Sequence, residues 1–357
     1  MKLLILAVIA VLARSATADP LTVAVTPKQP LIERTRAGQG LSFDLIVTST
    51  SPATLELDRM KIQVFDAAGA LIAEKLAGSG VSAVLPGPTK IAPKGTLLLM
   101  NPFHTLPAEL AIAKLHVELT FVDDTKAAAT HVIAADVTPK TFVPKTALRV
   151  PVKGRVIVEE GHDWLAHHRR VDLTNPIVGK LGVTTNPTRY SYDFVPVDAA
   201  GKKFKTDGKT NADFIGWGTP VVAPAAGVVK EIKADVEDNV LGGKMFDFKL
   251  VFVDIHAFYG NYVILDHGNG ELSVFGHMKA GSVTAKVGDK VKAGQQIGAI
   301  GMSGDADGPH LHYQLQDGNE KNSEALPSYF KLRWVRGKAS SVMTATPDSG
   351  DIIEAAP

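Results

Sequence analysis

The chain has 357 residues, 45% of them hydrophobic, and no cysteine. This excludes disulfide staples, thiolate metal sites and a lipid anchor on cysteine, and leaves material for two domains of ordinary size. Taking Lys2 and Arg14 away with an N-terminal leader lowers the 38 basic residues to 36 against 37 acidic ones, a balance that speaks against nucleic-acid binding.

Residues 1–18 read as a signal peptide. Lys2 gives a positive start, Leu3 to Leu12 form an apolar run, and Ala16-Thr17-Ala18 offers the small-x-small pattern of a cleavage site, with mature protein from Asp19. The run is shorter than the roughly 20 apolar residues of a membrane span, and Arg14 closes it. Export, to the periplasm or out of the cell, is the expectation.

From Leu21 to Val137 short apolar bursts recur, among them Leu41–Val47, Lys61–Phe65, Thr96–Met100 and Leu115–Phe121. Turn-forming residues bound each burst, so residues 19–138 are expected to form an immunoglobulin-like β-sandwich. His104, His116 and His131 stand alone here and read as packing or surface residues. Pro139, Pro144 and Pro151, interleaved with lysines, mark a stiff linker over 139–153. A second domain, 154–337, also reads as β, with Gly218–Val229 and Val287–Gly301 as strand-turn-strand units. The fold class expected is therefore all-β. The tail, 338–357, loses all pattern and reads as disordered.

Eight of the eleven histidines lie between His162 and His312. The sharpest signal is Pro309-His310-Leu311-His312-Tyr313. On a strand the side chains at i and i+2 leave the same face, so His310 and His312 point together. Such a pair shares a metal or a proton, or else sits on an exposed strand by chance. A catalytic zinc takes three protein ligands and keeps one position open. Candidates upstream are His167-His168, Asp172, Asp193 in Tyr190-Ser-Tyr-Asp-Phe194, and His277 at the end of Val274-Phe-Gly-His-Met278. His162, His256 and His267 have no partner motif and are read as structural. Asp207, Asn211, Trp217 and Asn261 fall where they could wall a groove.

The succession of these residues with Gly218-Thr-Pro-Val, Gly260-Asn-Tyr-Val, Gly288-Asp-Lys-Val and Gly308-Pro-His-Leu-His312 resembles the M23 (lysostaphin-like) zinc metallopeptidase family, from near Val156 to near Gln316. The resemblance implies one zinc held by an early histidine, an aspartate and the second histidine of His-x-His, here His168, Asp193 and His312. It implies catalytic roles for His310 and His277. The usual His-x-x-x-Asp spacing is met literally by His168 and Asp172. Asp193 is preferred because Tyr190–Phe194 resembles the Tyr-Ala-Tyr-Asp-Phe strand of a branch in which a loop separates the two ligands. His168 is preferred over His167, since neighbours face opposite ways and only one should bind. In this scheme His310 takes a proton from the attacking water and His277 donates a hydrogen bond to the oxyanion. The implied function is a zinc endopeptidase acting on peptidoglycan stem peptides or cross-bridges. The alternative is a catalytically idle M23-like regulator or activator of another cell-wall hydrolase. Peptidoglycan peptides are the expected partner, with no nucleic acid, no membrane span after leader cleavage, and a monomeric state.

Overall fold

The computed structural model describes residues 19–356 apart from 82–84, 86, 126–128, 165, 320 and 336–341. The expected leader, 1–18, lies outside the described residues. Among the described residues, no helix is long and apolar enough to cross a membrane. The chain is nearly all β.

The strand Leu55–Phe65 shows how the N-terminal half folds. Leu55 and Leu57 point inward, then Met60, Ile62 and Val64. The alternation changes phase where the register with Lys114–Asp123 shifts, between Thr120 and Phe121. One extra residue in a strand does this, since the side-chain period is two. These two strands are the middle of a five-stranded sheet that also holds Thr130–Val137, Leu71–Ala77 and Lys90–Ile91. A three-stranded sheet, Leu21–Thr26, Asp44–Ser49 and Thr96–Met100, shares one core with it through Leu45, Val47, Leu97 and Leu99. A third sheet of four short strands, Lys140–Thr141, Leu31–Thr35, Gly38–Leu41 and Thr105–Leu106, goes beyond the two sheets expected of an immunoglobulin-like sandwich.

The stretch 139–153 is not a free span. Lys140 and Thr141 pair with Leu31 and Ile32 on one side, and Leu148 and Arg149 pair with Phe330 and Lys331 on the other.

A twelve-stranded sheet builds the C-terminal half. Its central run is Phe330–Trp334, Ile352–Ala355, Arg155–Glu160, Tyr192–Pro196, Leu311–Gln316, Leu272–Met278, Asn261–Asp266 and Gly227–Lys233. Val156, Val158, Tyr192, Phe194, Val263, Phe275, Tyr313 and Ile353 lie in one core beneath it. The disordered tail expected over 338–357 is corrected here for residues 342–356, while 338–341 and 357 lie outside the described residues. Val342–Ala345 pairs with Phe330–Trp334, and Ile352–Ala355 sits between that strand and Arg155–Glu160. Four residues with one inward isoleucine carry too short a pattern to stand out among Ala, Ser, Thr and Pro, yet paired on both edges they are a central strand.

Candidate metal centre

Three neighbouring strands of the large sheet set the site. Asp193 pairs directly with His312, and His312 with Gly276 on its other side. Directly paired residues share a face, so the Asp193 carboxylate and the His312 ring meet. Oδ1 of Asp193 lies 3.2 Å from His312 Nδ1 and 3.6 Å from His310 Nε2, and Oδ2 lies 3.6 Å from His168 Nε2. His310 sits one residue before its strand. The His277 ring is 4.7 Å from that of His310 and 5.7 Å from that of His312, centre to centre. All five side chains are buried.

His168 comes from the 3-10 turn His167–Arg170. The turn sets the two rings side by side, centres 3.9 Å apart, with different neighbours. His168 is buried toward Asp193, while His167 is exposed and its Nδ1 lies 3.2 Å from Glu160 Oε1. His167 nevertheless has a ring nitrogen within 4.8 Å of the ligand atoms of His168 and Asp193. Asp172 is exposed, and its Oδ1 accepts from the backbone and hydroxyl of Thr174 in a local turn. By distance to the carboxylate alone, His310 stands as near as His168.

Hydrogen bonds assign the tautomers. His312 Nε2 donates to Gln314 Oε1 at 3.0 Å, and Nδ1 is the nitrogen turned toward Asp193. His310 Nδ1 donates to the Gly308 carbonyl and His277 Nδ1 to the Ser303 carbonyl, each at 2.8 Å. Both therefore turn Nε2 away from these carbonyls. Nδ1 of His312, within hydrogen-bond distance of Asp193 Oδ1 at 3.2 Å, and Nε2 of His310, at 3.6 Å, thus face the same buried carboxylate. Imidazole nitrogens gathered on a carboxylate are a donor set that zinc takes. The buried Nδ1 of His168 has no hydrogen-bond partner. The residues present fit the metal.

Electrostatics agree with this. Burial pushes His168 down to about 3, and burial together with His310 and His312 holds His277 well below the ordinary histidine range. Both rings are neutral at pH 7. Burial works against ionising Asp193, but the surrounding imidazoles, His168 foremost, hold it well below the usual carboxylate range. A neutral His277 whose Nδ1–H is spent on Ser303 has no proton to give. The donor role expected of it requires that it first take one up.

His277 has φ 59°, in the left-handed region, which costs a non-glycine residue on the order of 1–3 kcal/mol. The loop holding it there depends on Gly260 and Gly304. A Cβ on Gly260 would meet Gly304 N and Ser303 C at 2.3 Å. This backbone contact carries the Ser303 carbonyl to the ring. Beside the histidines opens a cavity of about 430 Å³ lined by Glu160, His167, Asp193, Asp307 and His310.

Residues 212–324 match the model of peptidase family M23. This chain carries an M23 peptidase domain. The matched stretch holds His277, His310 and His312 and begins after His168 and Asp193. The chain is similar to the peptidoglycan DD-endopeptidase ShyA of Vibrio cholerae, 41% identical over 69 residues, 19% of this chain and 16% of that protein. It is similar to lysostaphin of Staphylococcus staphylolyticus, 41% over 75 residues, 21% of this chain and 16% of that one. It is also similar to the murein hydrolase activator EnvC of Escherichia coli, 33% over 70 residues, 20% and 16%. The matches span about a sixth of the length of these relatives. The solved catalytic domain of lysostaphin from Staphylococcus simulans is 24% identical, with 40% of this chain and 79% of that one covered and a TM-score of 0.23.

Outside the site of the M23 domain, His162, His256 and His267 have structural partners. His162 is buried between Glu33 and the Tyr190 carbonyl. His267 bonds Ala226 O and Ser273 Oγ, and His256 lies beside Glu231. Asn261 braces the backbone of Val236 and Met278, and Asn211 bonds Asn239 and Leu241. Sequence reasoning missed Gln314. Its signal was present, since His310, His312, Gln314 and Gln316 alternate with Leu311, Tyr313 and Leu315 on a strand buried on both faces. A buried polar row of that kind needs partners.

Proposed function

We propose that this protein is a zinc-dependent endopeptidase that hydrolyses peptide bonds in bacterial peptidoglycan, in stem peptides or cross-bridges. His168, Asp193 and His312 hold one zinc, and His277 and His310 work beside it. The observation that supports this most is the convergence of three imidazole nitrogens on the buried Asp193 carboxylate. The leader-like 1–18 and relatives named for peptidoglycan support work in the periplasm or outside the cell.

When bound, zinc would supply Lewis acidity and lower the pKa of a water there to about 7. The chain's own groups do the rest. His310 Nε2, free of its Nδ1–H bond to Gly308, accepts the proton of the attacking water and passes it to the leaving amine. His277, fixed by Ser303, serves the oxyanion once it has taken up a proton; such a hydrogen bond is worth roughly 3 kcal/mol in the transition state. The open cavity beside His310 takes the peptide.

The similarity to EnvC favours one other reading, a regulator that retains the site without using it. Here all five positions carry residues able to act, which favours the enzyme. The deciding experiment is zinc analysis of the mature chain, followed by mass spectrometry of fragments released from purified peptidoglycan. About one zinc per chain and new peptide termini are expected. A protein that holds zinc yet releases nothing from walls of several bridge types is the regulator.

A further inference from the structure

Asp44 opens the middle strand of the N-terminal three-stranded sheet and is 1% exposed. Its carboxylate takes two guanidiniums from the C-terminal half. Arg169 Nη1 donates to Oδ1 at 2.8 Å and Arg189 Nη1 to Oδ2 at 2.9 Å. Arg169 Nη2 adds a bond to the Phe43 carbonyl at 2.9 Å. Both arginines are buried, and among the described residues no other carboxylate lies within ion-pair distance of either. Buried cations need such a partner.

These arginines adjoin the proposed ligands. Arg169 follows His168 in a 3-10 turn that has no side-chain cap of its own. Arg189 precedes Asp193 by four residues, and the turn before it holds the His168 carbonyl through Asn186 Nδ2 and Thr188 Oγ1. Glu33 makes a second tie, through His162 to the Tyr190 carbonyl. One carboxylate from the N-terminal half therefore joins the two segments that carry His168 and Asp193. Arg169, which forks onto Asp44 and the Phe43 carbonyl, fixes direction as well as distance, and groups that orient metal ligands typically change metal affinity by about 10- to 100-fold.

We infer that Asp44 is a positioning residue for the metal centre, so that the N-terminal β unit completes the site instead of serving as a spacer. This rests on the reading of His168 and Asp193 as zinc ligands.

The test uses the full mature chain and two readouts: zinc affinity by chelator competition, and the visible absorption of the cobalt-loaded protein, which follows ligand geometry. Asp44→Asn should weaken zinc by at least about tenfold and alter the cobalt spectrum. Arg36→Ala removes a different tie between the halves, the ion pairs to Asp348 and Asp351, and should leave both readouts as in the parent. Circular dichroism checks folding; where Asp44→Asn fails it, Arg169→Lys, which keeps the charge and loses the fork onto Asp44 and the Phe43 carbonyl, should give the same loss. Folded variants with parental affinity and spectrum overturn the inference, as does an equal loss in Arg36→Ala. A parent chain that takes up no zinc overturns the ligand reading itself.

Discussion

His312 donates its Nε2–H to the side chain of Gln314, two residues along the same strand, at 3.0 Å. The bond fixes which nitrogen is left for a metal, and Gln314 is itself held by Ser191 and Gln316. Gln314→Leu, close in size and without an acceptor, should lower zinc affinity by about 10- to 100-fold while His312 stays in place. Chelator competition measures this, and a parental value would remove Gln314 from the site.

Ligand identity is separable by metal content. His168→Ala and Asp193→Ala should each lose zinc, because a site of three ligands is left with two. His167→Ala and Asp172→Ala should keep it, since one points to Glu160 and the other caps its own turn. Zinc retained in Asp193→Ala and lost in Asp172→Ala would restore the shorter His168-x-x-x-Asp172 pairing.

His310→Ala and His277→Ala should bind zinc like the parent and digest peptidoglycan at least about a hundredfold more slowly, the scale of a lost proton-transfer or oxyanion group. His310 is the sharper case, because its Nε2 is as near Asp193 as that of His168. Loss of zinc in His310→Ala would make it a ligand.

Metal-free protein should weaken as pH falls below about 6.5, the value of an unfolded histidine. His168, pushed down to about 3 by burial, and His277, also lowered first by burial, refuse protons that the unfolded chain accepts. Stability is fully present above that pH and is lost as pH drops toward the folded values. The slope is up to about 1.4 kcal/mol per pH unit for each ring. Urea unfolding of chelator-treated protein at pH 7.5 and 5.5 should show a lower midpoint at 5.5. An equal or higher midpoint would mean that these rings are not held neutral.

The histidine constellation was legible because strand alternation turns spacing into direction: His310 and His312 had to share a face. The resemblance carried His168 and Asp193, which lie far from that strand in sequence; sheet register sets Asp193 beside it, and a 3-10 turn brings in His168. What stayed hidden depended on contacts between distant segments. Asp44, between inward-facing Phe43 and Leu45, reads as an outward residue of an alternating strand. It is buried because the other half of the chain covers that face with Arg169 and Arg189. The tail misled for a similar reason, since Ile352–Ala355 gains its structure from two flanking strands and not from its own composition. The tautomers of His277 and His310 depend on backbone carbonyls, which side-chain identity does not encode.

The position of Ile352–Ala355 also sets an order of events during synthesis. Arg155 meets Glu354, 199 residues downstream, and Arg155–Glu160 has an open edge until that late segment leaves the ribosome. The strand beside it, Tyr192–Pro196, carries Asp193. A chain with this layout cannot close that edge from nearby sequence, because the closing piece lies 199 residues further along. Open strand edges invite wrong pairing while they wait.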